Sequence, residues 1–272
     1  MSTGAGASTA TWDWDDAARR AGVSRDGRLN MGAIPYTHPR TLIYRRADGS
    51  QETLSGPALN ALVRRTASVL RDAGVKPGDR VAGLLGRRPA SYAVPLATWQ
   101  LGGLYVPLFA GFRAEALRVR IADAGVTVVV TDPANRASLA EAQGRLGEIT
   151  VLVVGAGPDE QADGDLDFVA LLAAAAEHHA VHDTHHRDPA TIMYTSGTTG
   201  FPKGCVIAHH ACVTVVLAGG PGTTATPELT AELKRWVGER IGWHAAPRSV
   251  EVHDALPRTE SGKIKRRELR GR

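Results

Sequence analysis

The chain has 272 residues, of which 43% are hydrophobic, 22% charged and 5% aromatic. This composition is that of a globular protein, and it excludes wholesale disorder, a collagen-like repeat and a coiled coil. The net charge of +4 is concentrated in residues 258–272, which carry seven basic and two acidic side chains but no aromatic one. Nucleic-acid-binding surfaces usually spread basic charge over a face and add aromatic rings, so we expect no nucleic-acid partner.

The sequence shows no pattern typical of a targeting signal, a disulfide framework or a cysteine metal site. Residues 1–16 lack the basic and apolar segments of a secretory signal, and no apolar run approaches the roughly 20 residues of a membrane span. We therefore expect a cytoplasmic protein. Cys205 and Cys212 form neither a disulfide framework nor a zinc motif, so we expect two reduced thiols packed as small apolar groups.

The N-terminal third predicts an arm, a hairpin and a helix. Residues 1–40 are mixed in character and are interpreted as a loosely packed arm. Residues 41–46 and 51–54 have strand character on either side of a turn, which predicts a hairpin. Ser55 is a suitable N-cap for a helix that Gly74 ends.

Strands then alternate with helices. Apolar and β-branched runs predict strands at 81–85, 106–109, 126–131 and 151–154. Amphipathic spacing predicts helices at 90–101 and 113–124, with a further helix-like stretch before the last of these strands. Such alternation predicts an α/β architecture with a largely parallel sheet.

A histidine-rich stretch follows, comprising His178, His179, His182, His185 and His186. On a helix their spacing would place several imidazoles on one face, where they could share a metal. No cysteine or glutamate at ligand spacing accompanies them, so we favour a solvated linker helix and keep a metal-binding protein as the weaker alternative.

Residues 188–194 predict a short apolar strand that leads into a loop rich in glycine and hydroxyl side chains. Small side chains let backbone N–H groups approach an anion, hydroxyls add donors, and a lysine adds charge. The candidate phosphate-binding residues are Thr195, Ser196, Gly197, Thr198, Thr199, Gly200 and Lys203. Their spacing matches neither the P-loop nor the Rossmann glycine pattern, which argues against both classes.

Two motifs resemble one enzyme family. YTSGTTGFPKG at 194–204 resembles the ATP-phosphate signature of the AMP-forming acyl-CoA synthetases, which are adenylate-forming enzymes. LPRTESGKIKRRELR at 256–270 is similar to the closing motif of that family. Residues 74–85, 105–112 and 126–132 resemble the N-terminal region of the family, especially in its acetate and medium-chain branches. The chain is thereby identified as a member of this family, with a resemblance that covers nearly all of 41–272.

The resemblance implies a reaction and its participants. In this family a small carboxylic acid reacts with ATP to give an acyl-adenylate, and coenzyme A then takes the acyl group. ATP, Mg²⁺ and coenzyme A are therefore implied as substrates. Lys263 matches the catalytic lysine of the closing motif, which would neutralise charge on the carboxylate and the α-phosphate.

The resemblance also implies the fold and its division. We expect a truncated N-terminal parallel-sheet domain of the adenylate-forming fold, together with a fragment of its small C-terminal α+β domain. The expected parts are the arm at 1–40, a partial AMP-binding large domain at 41–218, a junction at 219–226 and a partial small domain at 227–272.

Motifs that the family places between these two ends are absent. The sequence has no aromatic-Gly-x-Thr-Glu run for nucleotide and magnesium, and no Ser/Thr-Gly-Asp for ribose. We interpret the chain as two ends of a synthetase joined across a large internal deletion. Without the adenosine pocket, nucleotide binding should be weak. The alternative to a ligase is thus a noncatalytic nucleotide- or phosphate-binding remnant.

Overall fold

The computed structural model describes residues 24, 26–34, 36, 42–46, 48–157, 160–195, 201–211, 227–228, 231–232 and 235. The chain divides into two compact units, Ala18–Thr214 on the one hand and Met1–Ala17 with Val215–Arg272 on the other. In the second unit the described residues have helical backbone. The first unit holds almost all described residues, and the elements below belong to it.

The first unit contains a small hairpin and a larger sheet with helices on both faces. Its strands are β1 Leu42–Arg45, β2 Gln51–Leu54, β3 Arg80–Leu84, β4 Leu104–Pro107, β5 Val126–Thr131, β6 Thr150–Val153, β7 Leu166–Asp167, β8 Pro189–Thr195 and β9 Lys203–Ala208. Its α-helices are α1 Gly56–Asp72, α2 Ala90–Gln100, α3 Ala114–Ala124, α4 Pro133–Gln143 and α5 Phe168–Ala174. A 3-10 helix spans Met31–Ala33.

Local sequence signals account for the first elements. Strands β1 and β2 pair antiparallel, as the sequence predicts, with Leu42 opposite Leu54. Helix α1 begins where the Ser55 hydroxyl accepts a hydrogen bond from the Ala58 N–H at 3.2 Å, which satisfies one free donor of the first turn. The chain leaves the helix through Gly74, whose φ of +95° suits a residue without a side chain.

The larger sheet confirms the predicted α/β class. Among the described residues it has seven strands in the order β7-β6-β5-β3-β4-β8-β9. Neighbouring strands run parallel from β7 to β8, and only β9 runs antiparallel to its neighbour. Strand β4 begins two residues earlier than predicted and ends at Pro107, so Phe109 lies beyond it and is 69% exposed.

Both faces of the sheet are covered, as a parallel sheet requires. One apolar cluster joins α1, α2 and the start of α5 to the sheet; it includes Leu70, Val81, Val94 and Phe168. The opposite cluster joins α3 and α4 to the sheet and includes Ala82, Leu117, Ile121 and Leu139. Val81 and Ala82 are adjacent in β3 but enter different clusters, because successive side chains of a strand point to opposite faces.

Part of the N-terminal arm packs more tightly than expected. Leu29 is only 4% exposed. The side-chain amide of Asn30 donates to the Trp99 carbonyl at 2.6 Å and to the Thr184 hydroxyl at 3.0 Å. These contacts attach the described part of the arm to the end of α2 and to the segment before β8, so the prediction of loose packing is wrong for these residues.

No linker helix forms in the histidine-rich stretch. Residues 175–188 have irregular backbone apart from one bridge between Arg28 and His185. Hydrogen bonds from His182 N–H to the Gln100 carbonyl, at 2.7 Å, and from His178 N–H to the Arg64 carbonyl, at 3.1 Å, hold the segment against α1 and α2. Long-range backbone contacts therefore replace the helix that local spacing predicted.

Gly83 provides a test of packing inside the sheet. A Cβ atom at this position would lie 2.3 Å from the Tyr105 hydroxyl oxygen, because the tyrosine ring crosses the neighbouring strand. We expect Gly83→Ala to lower the free energy of unfolding by about 1–3 kcal/mol, the usual cost of overpacking. Urea unfolding would measure the change.

The matched control is Gly144→Ala at the end of α4, where an added Cβ has no neighbour within 4 Å. It should leave the unfolding midpoint nearly unchanged. Adding Tyr105→Phe to Gly83→Ala should restore part of the lost stability. If Gly83→Ala unfolds at the wild-type urea concentration, the close approach of Tyr105 is not a constraint.

Candidate functional site

Strands β8 and β9 form an antiparallel hairpin that frames the candidate phosphate-binding motif. Thr195 ends β8, Lys203 begins β9, and the two residues are partners in the ladder. Both are exposed. The structure thus brings together the first and last of the predicted phosphate-binding residues. The predicted residues between them, Ser196, Gly197, Thr198, Thr199 and Gly200, and the predicted catalytic Lys263, lie outside the described residues.

The hairpin lies at the end of the sheet where α/β proteins bind ligands. Strand β8 runs parallel to β4, and β4 runs parallel to β3. The carboxyl end of β8 at Thr195 therefore lies on the same edge as the carboxyl ends of the other parallel strands. Ligands of open α/β sheets bind outside this edge. Backbone topology thus places Thr195 and Lys203 at a suitable position for a nucleotide.

A side-chain cluster on α3 holds the carboxyl end of β8. The Tyr194 hydroxyl donates to the Asp123 carboxylate at 2.5 Å. The Arg120 guanidinium lies 5.8 Å from the centre of the Tyr194 ring and 4.2 Å from that of Phe112. Burial, followed by the Asp123 carboxylate, raises the pKa of Tyr194, so the phenol stays protonated and donates a hydrogen bond to Asp123.

A second polar cluster fills the crevice between β3 and β5. The buried Asp132 carboxylate accepts from the Gly86 N–H at 2.8 Å and from the Asn135 amide at 2.7 Å. Arg88 pairs with the same carboxylate at 3.2 Å and also donates to the Val154 carbonyl at 2.9 Å. The connections after these two strands run in opposite directions along the sheet. The cluster thus fixes the loops at the switch point of the fold.

Sequence reasoning missed both clusters. Arg120 and Asp123 share one face of α3, three positions apart, and this polar spacing was the available signal. Asp132 follows the β-branched run of β5 directly, at the position where a carboxyl-edge residue is expected. Neither signal identifies the partner across the fold, because strand order decides which elements meet.

The histidines do not form a metal centre in the part of the chain that the structure describes. No group of three or more His, Cys, Asp and Glu side chains there could hold a metal ion. The ring centroids of His185 and His186 lie 4.4 Å apart, and those of His186 and His210 lie 5.4 Å apart. The alternative of a histidine metal site therefore gains no support.

Strand β9 is the last strand of the described sheet, and its surroundings correct one prediction. Cys205 is a free thiol and is exposed on β9, rather than packed as a small apolar group. Val206 is 59% exposed, and Met193, the ladder partner of Cys205 on β8, is 46% exposed. Cys212 lies outside the described residues.

Comparison with known proteins identifies the family. Residues 35–242 match the family described as AMP-binding enzyme. The chain belongs to the AMP-binding enzyme family. The match includes the motif at 194–204 and agrees with the parallel-sheet fold, which confirms the resemblance of the chain to AMP-forming acyl-CoA synthetases; the motif at 256–270 lies outside the matched residues.

Relatives within the family include several acyl-CoA synthetases. An acetyl-coenzyme A synthetase of Desulfatibacillum aliphaticivorans is 34% identical over 169 residues, which cover 57% of this chain and 26% of that protein. A feruloyl-CoA synthase of an Amycolatopsis species is 36% identical over 154 residues, which cover 56% of this chain and 27% of that protein. The chain therefore spans about a quarter of these curated relatives.

Solved structures of the AMP-binding enzyme family share the fold. An acyl-CoA synthetase from Brucella canis superposes with a TM-score of 0.66 at 30% identity, covering 75% of this chain and 38% of the other. ATP-bound MatB from Rhodopseudomonas palustris superposes with a TM-score of 0.51 at 31% identity, covering 71% of this chain and 34% of the other.

Among the described residues, the helices are too short or too polar to span a membrane.

His209, directly after β9, should make stability depend on pH. Its ring is almost fully buried, and its Nδ1 accepts from the Met31 N–H at 3.2 Å. Burial lowers the pKa of His209 to about 4 from its usual 6.5, although Asp188 acts in the opposite direction. Below pH 6.5 His209 is therefore protonated in the unfolded chain, whereas it stays neutral in the native state until the pH approaches 4. Stability should fall between pH 7.5 and 5 by about 2 kcal/mol from this residue.

Urea unfolding at both pH values would measure this dependence in the wild type and in His209→Gln. The variant should show a smaller difference between the two pH values, whatever its stability at pH 7.5. His179→Gln is the matched control, because the His179 side chain is 72% exposed. An unchanged pH dependence in His209→Gln would contradict the assignment.

Proposed function

We propose that the chain works as an AMP-forming carboxylate–CoA ligase, and that its β8–β9 hairpin binds the phosphates of MgATP. The observation that carries this proposal is the pairing of Thr195 with Lys203 at the carboxyl edge of a parallel sheet. Both residues belong to the stretch that resembles the family's ATP-phosphate signature. The related MatB was solved with ATP bound, which supports the choice of nucleotide.

In the proposed reaction a carboxylate oxygen attacks the α-phosphorus of ATP, the α–β phosphoanhydride bond breaks, and pyrophosphate leaves. The thiolate of coenzyme A then attacks the acyl carbon, and AMP leaves. Lys203 would neutralise charge on the β- and γ-phosphates, together with N–H and hydroxyl donors of 195–200. Lys263 would stabilise the charge that grows around the α-phosphate.

Magnesium enters this proposal as part of the substrate. The described residues offer no cluster of carboxylates and imidazoles for a metal ion. Mg²⁺ retains water readily and is commonly bound through substrate phosphates, so it would arrive on ATP.

We further propose the division into an arm at 1–40, a partial large domain at 41–218, a junction at 219–226 and a partial small domain at 227–272.

A second candidate function is a noncatalytic binder of nucleotide or polyphosphate. The observation that favours it is that this chain covers only 26% and 27% of the length of the two synthetases described above. The missing ribose and magnesium motifs favour it as well. Such a remnant would retain the hairpin contacts to phosphate without completing an acyl-adenylate.

ATP–pyrophosphate exchange separates the two functions. With a panel of acids from acetate to medium-chain length, the ligase should exchange labelled pyrophosphate into ATP. Lys263→Ala should slow exchange by about 100-fold or more, because it removes charge stabilisation of the transition state. Lys265→Ala, in the same basic segment, is the matched control and should stay within a few-fold of wild type. No exchange with any acid would reject the ligase in favour of the binder.

Calorimetric titration with MgATP tests the hairpin itself. Lys203→Ala should weaken binding by about tenfold, the usual effect of one lost charge-assisted hydrogen bond. Lys76→Ala is the control, because Lys76 is exposed in the turn before β3, at the opposite edge of the sheet. Equal affinity of wild type and Lys203→Ala would remove the hairpin from the binding site.

A further inference from the structure

The β8–β9 hairpin has little backbone pairing with the rest of the sheet. Strand β8 shares a single register pair with β4, between Tyr105 and Thr191. On its other side β8 pairs only with β9, whose residues Lys203 to Val206 are exposed. Backbone pairing with β4 therefore ends before Thr195, and a side-chain interaction in addition to the packing of Ile192 on the apolar cluster positions the carboxyl end of β8.

Tyr194 supplies that interaction from the face opposite to Thr195 and Lys203. Side chains alternate along a strand, so Tyr194 and its ladder partner Gly204 share one face, while Thr195 and Lys203 share the other. A Cβ atom on Gly204 would lie 3.2 Å from the Tyr194 ring and 3.0 Å from an Ile192 methyl group. Because Gly204 has no side chain, the Tyr194 ring can pack directly against the backbone of β9.

The far end of the Tyr194 ring is fixed by α3. Its hydroxyl donates to Asp123 at 2.5 Å, and Arg120 lies beside the ring. Arg120 is itself held by its bond to the Ala116 carbonyl at 2.7 Å and by its contact with Phe112. One phenol therefore connects the end of β8 to a helix that packs firmly on the sheet.

We propose that Tyr194 is a positioning residue for phosphate binding, acting through its hydrogen bond to Asp123 to hold Thr195 and Lys203 in place. This inference rests on the proposed function of the hairpin. Tyr194 contacts no ligand in this role, because its ring lies on the face away from Thr195 and Lys203. The ligand group concerned is a di- or triphosphate, as in pyrophosphate or a nucleotide.

Hydrogen–deuterium exchange of the full chain tests the positioning without any ligand. Tyr194→Phe should speed backbone exchange in β8 and β9 by about tenfold, while β3 and β5 keep their wild-type rates. Asp123→Asn should have the same effect, since an amide accepts a weaker bond than a carboxylate does. Tyr92→Phe is the matched control, because Tyr92 is 55% exposed on α2. Wild-type exchange in β8 and β9 of Tyr194→Phe would overturn the inference.

Titration with MgATP and with magnesium pyrophosphate then tests the consequence for binding. Tyr194→Phe and Asp123→Asn should each weaken affinity by about tenfold, and the double variant should be no weaker than either, because both remove one bond. Lys203→Ala should weaken binding without changing exchange in β8. Fully additive losses, or wild-type affinity in Tyr194→Phe, would overturn the inference.

The two proposals fail in different ways. Wild-type protein that binds neither probe would reject the proposed function and, with it, the role of Tyr194 in phosphate binding. Wild-type protein that binds both probes, with Tyr194→Phe equal to it, would reject the positioning role alone. Circular dichroism identifies a variant that fails to fold; Asp123→Asn then replaces Tyr194→Phe as the deciding variant.

Discussion

Antiparallel pairing of β9 with β8 is the interaction on which the candidate site depends. It brings Lys203 opposite Thr195 and leaves the residues of the glycine-rich motif as the connection between them. Parallel pairing of β8 with β4 then sets Thr195 and Lys203 at the carboxyl edge of the sheet. A cation at this edge is suitably placed for an anionic ligand, because ligands of open α/β sheets bind outside the carboxyl ends of the strands.

Side-chain clusters fix the hairpin and the loops that the backbone pairing of the sheet brings to this edge. The hairpin is held by Tyr194 and Asp123 on one side, whereas Asp132 and Arg88 fix the loops at the switch point between β3 and β5. The buried Asp132 carboxylate is stable there because it accepts hydrogen bonds from Gly86 and Asn135 and pairs with Arg88. Asp132 follows β5 directly and Tyr194 stands one residue before the end of β8, so both clusters contact the carboxyl edge of the sheet.

Membership of the AMP-binding enzyme family fits this arrangement. Strand β9 exposes Val206 and Cys205, although strands of parallel sheets are normally buried on both faces. Exposed edge strands favour pairing with another strand, so β9 offers a backbone edge at this end of the described sheet.

The sequence by itself determined the family, the alternation of strands and helices, and the candidate phosphate-binding residues. Periodicity, glycine and cap residues are local signals, and the cap at Ser55 and the strand at β5 formed where they indicated. Local spacing failed in the histidine-rich stretch, where hydrogen bonds to α1 and α2 replaced a helix, and at Cys205, which an edge strand exposes. Only the tertiary structure decided that Tyr194 meets Asp123, 71 positions away. Strand order sets such meetings, and strand order depends on the packing of the whole sheet rather than on any short run of residues.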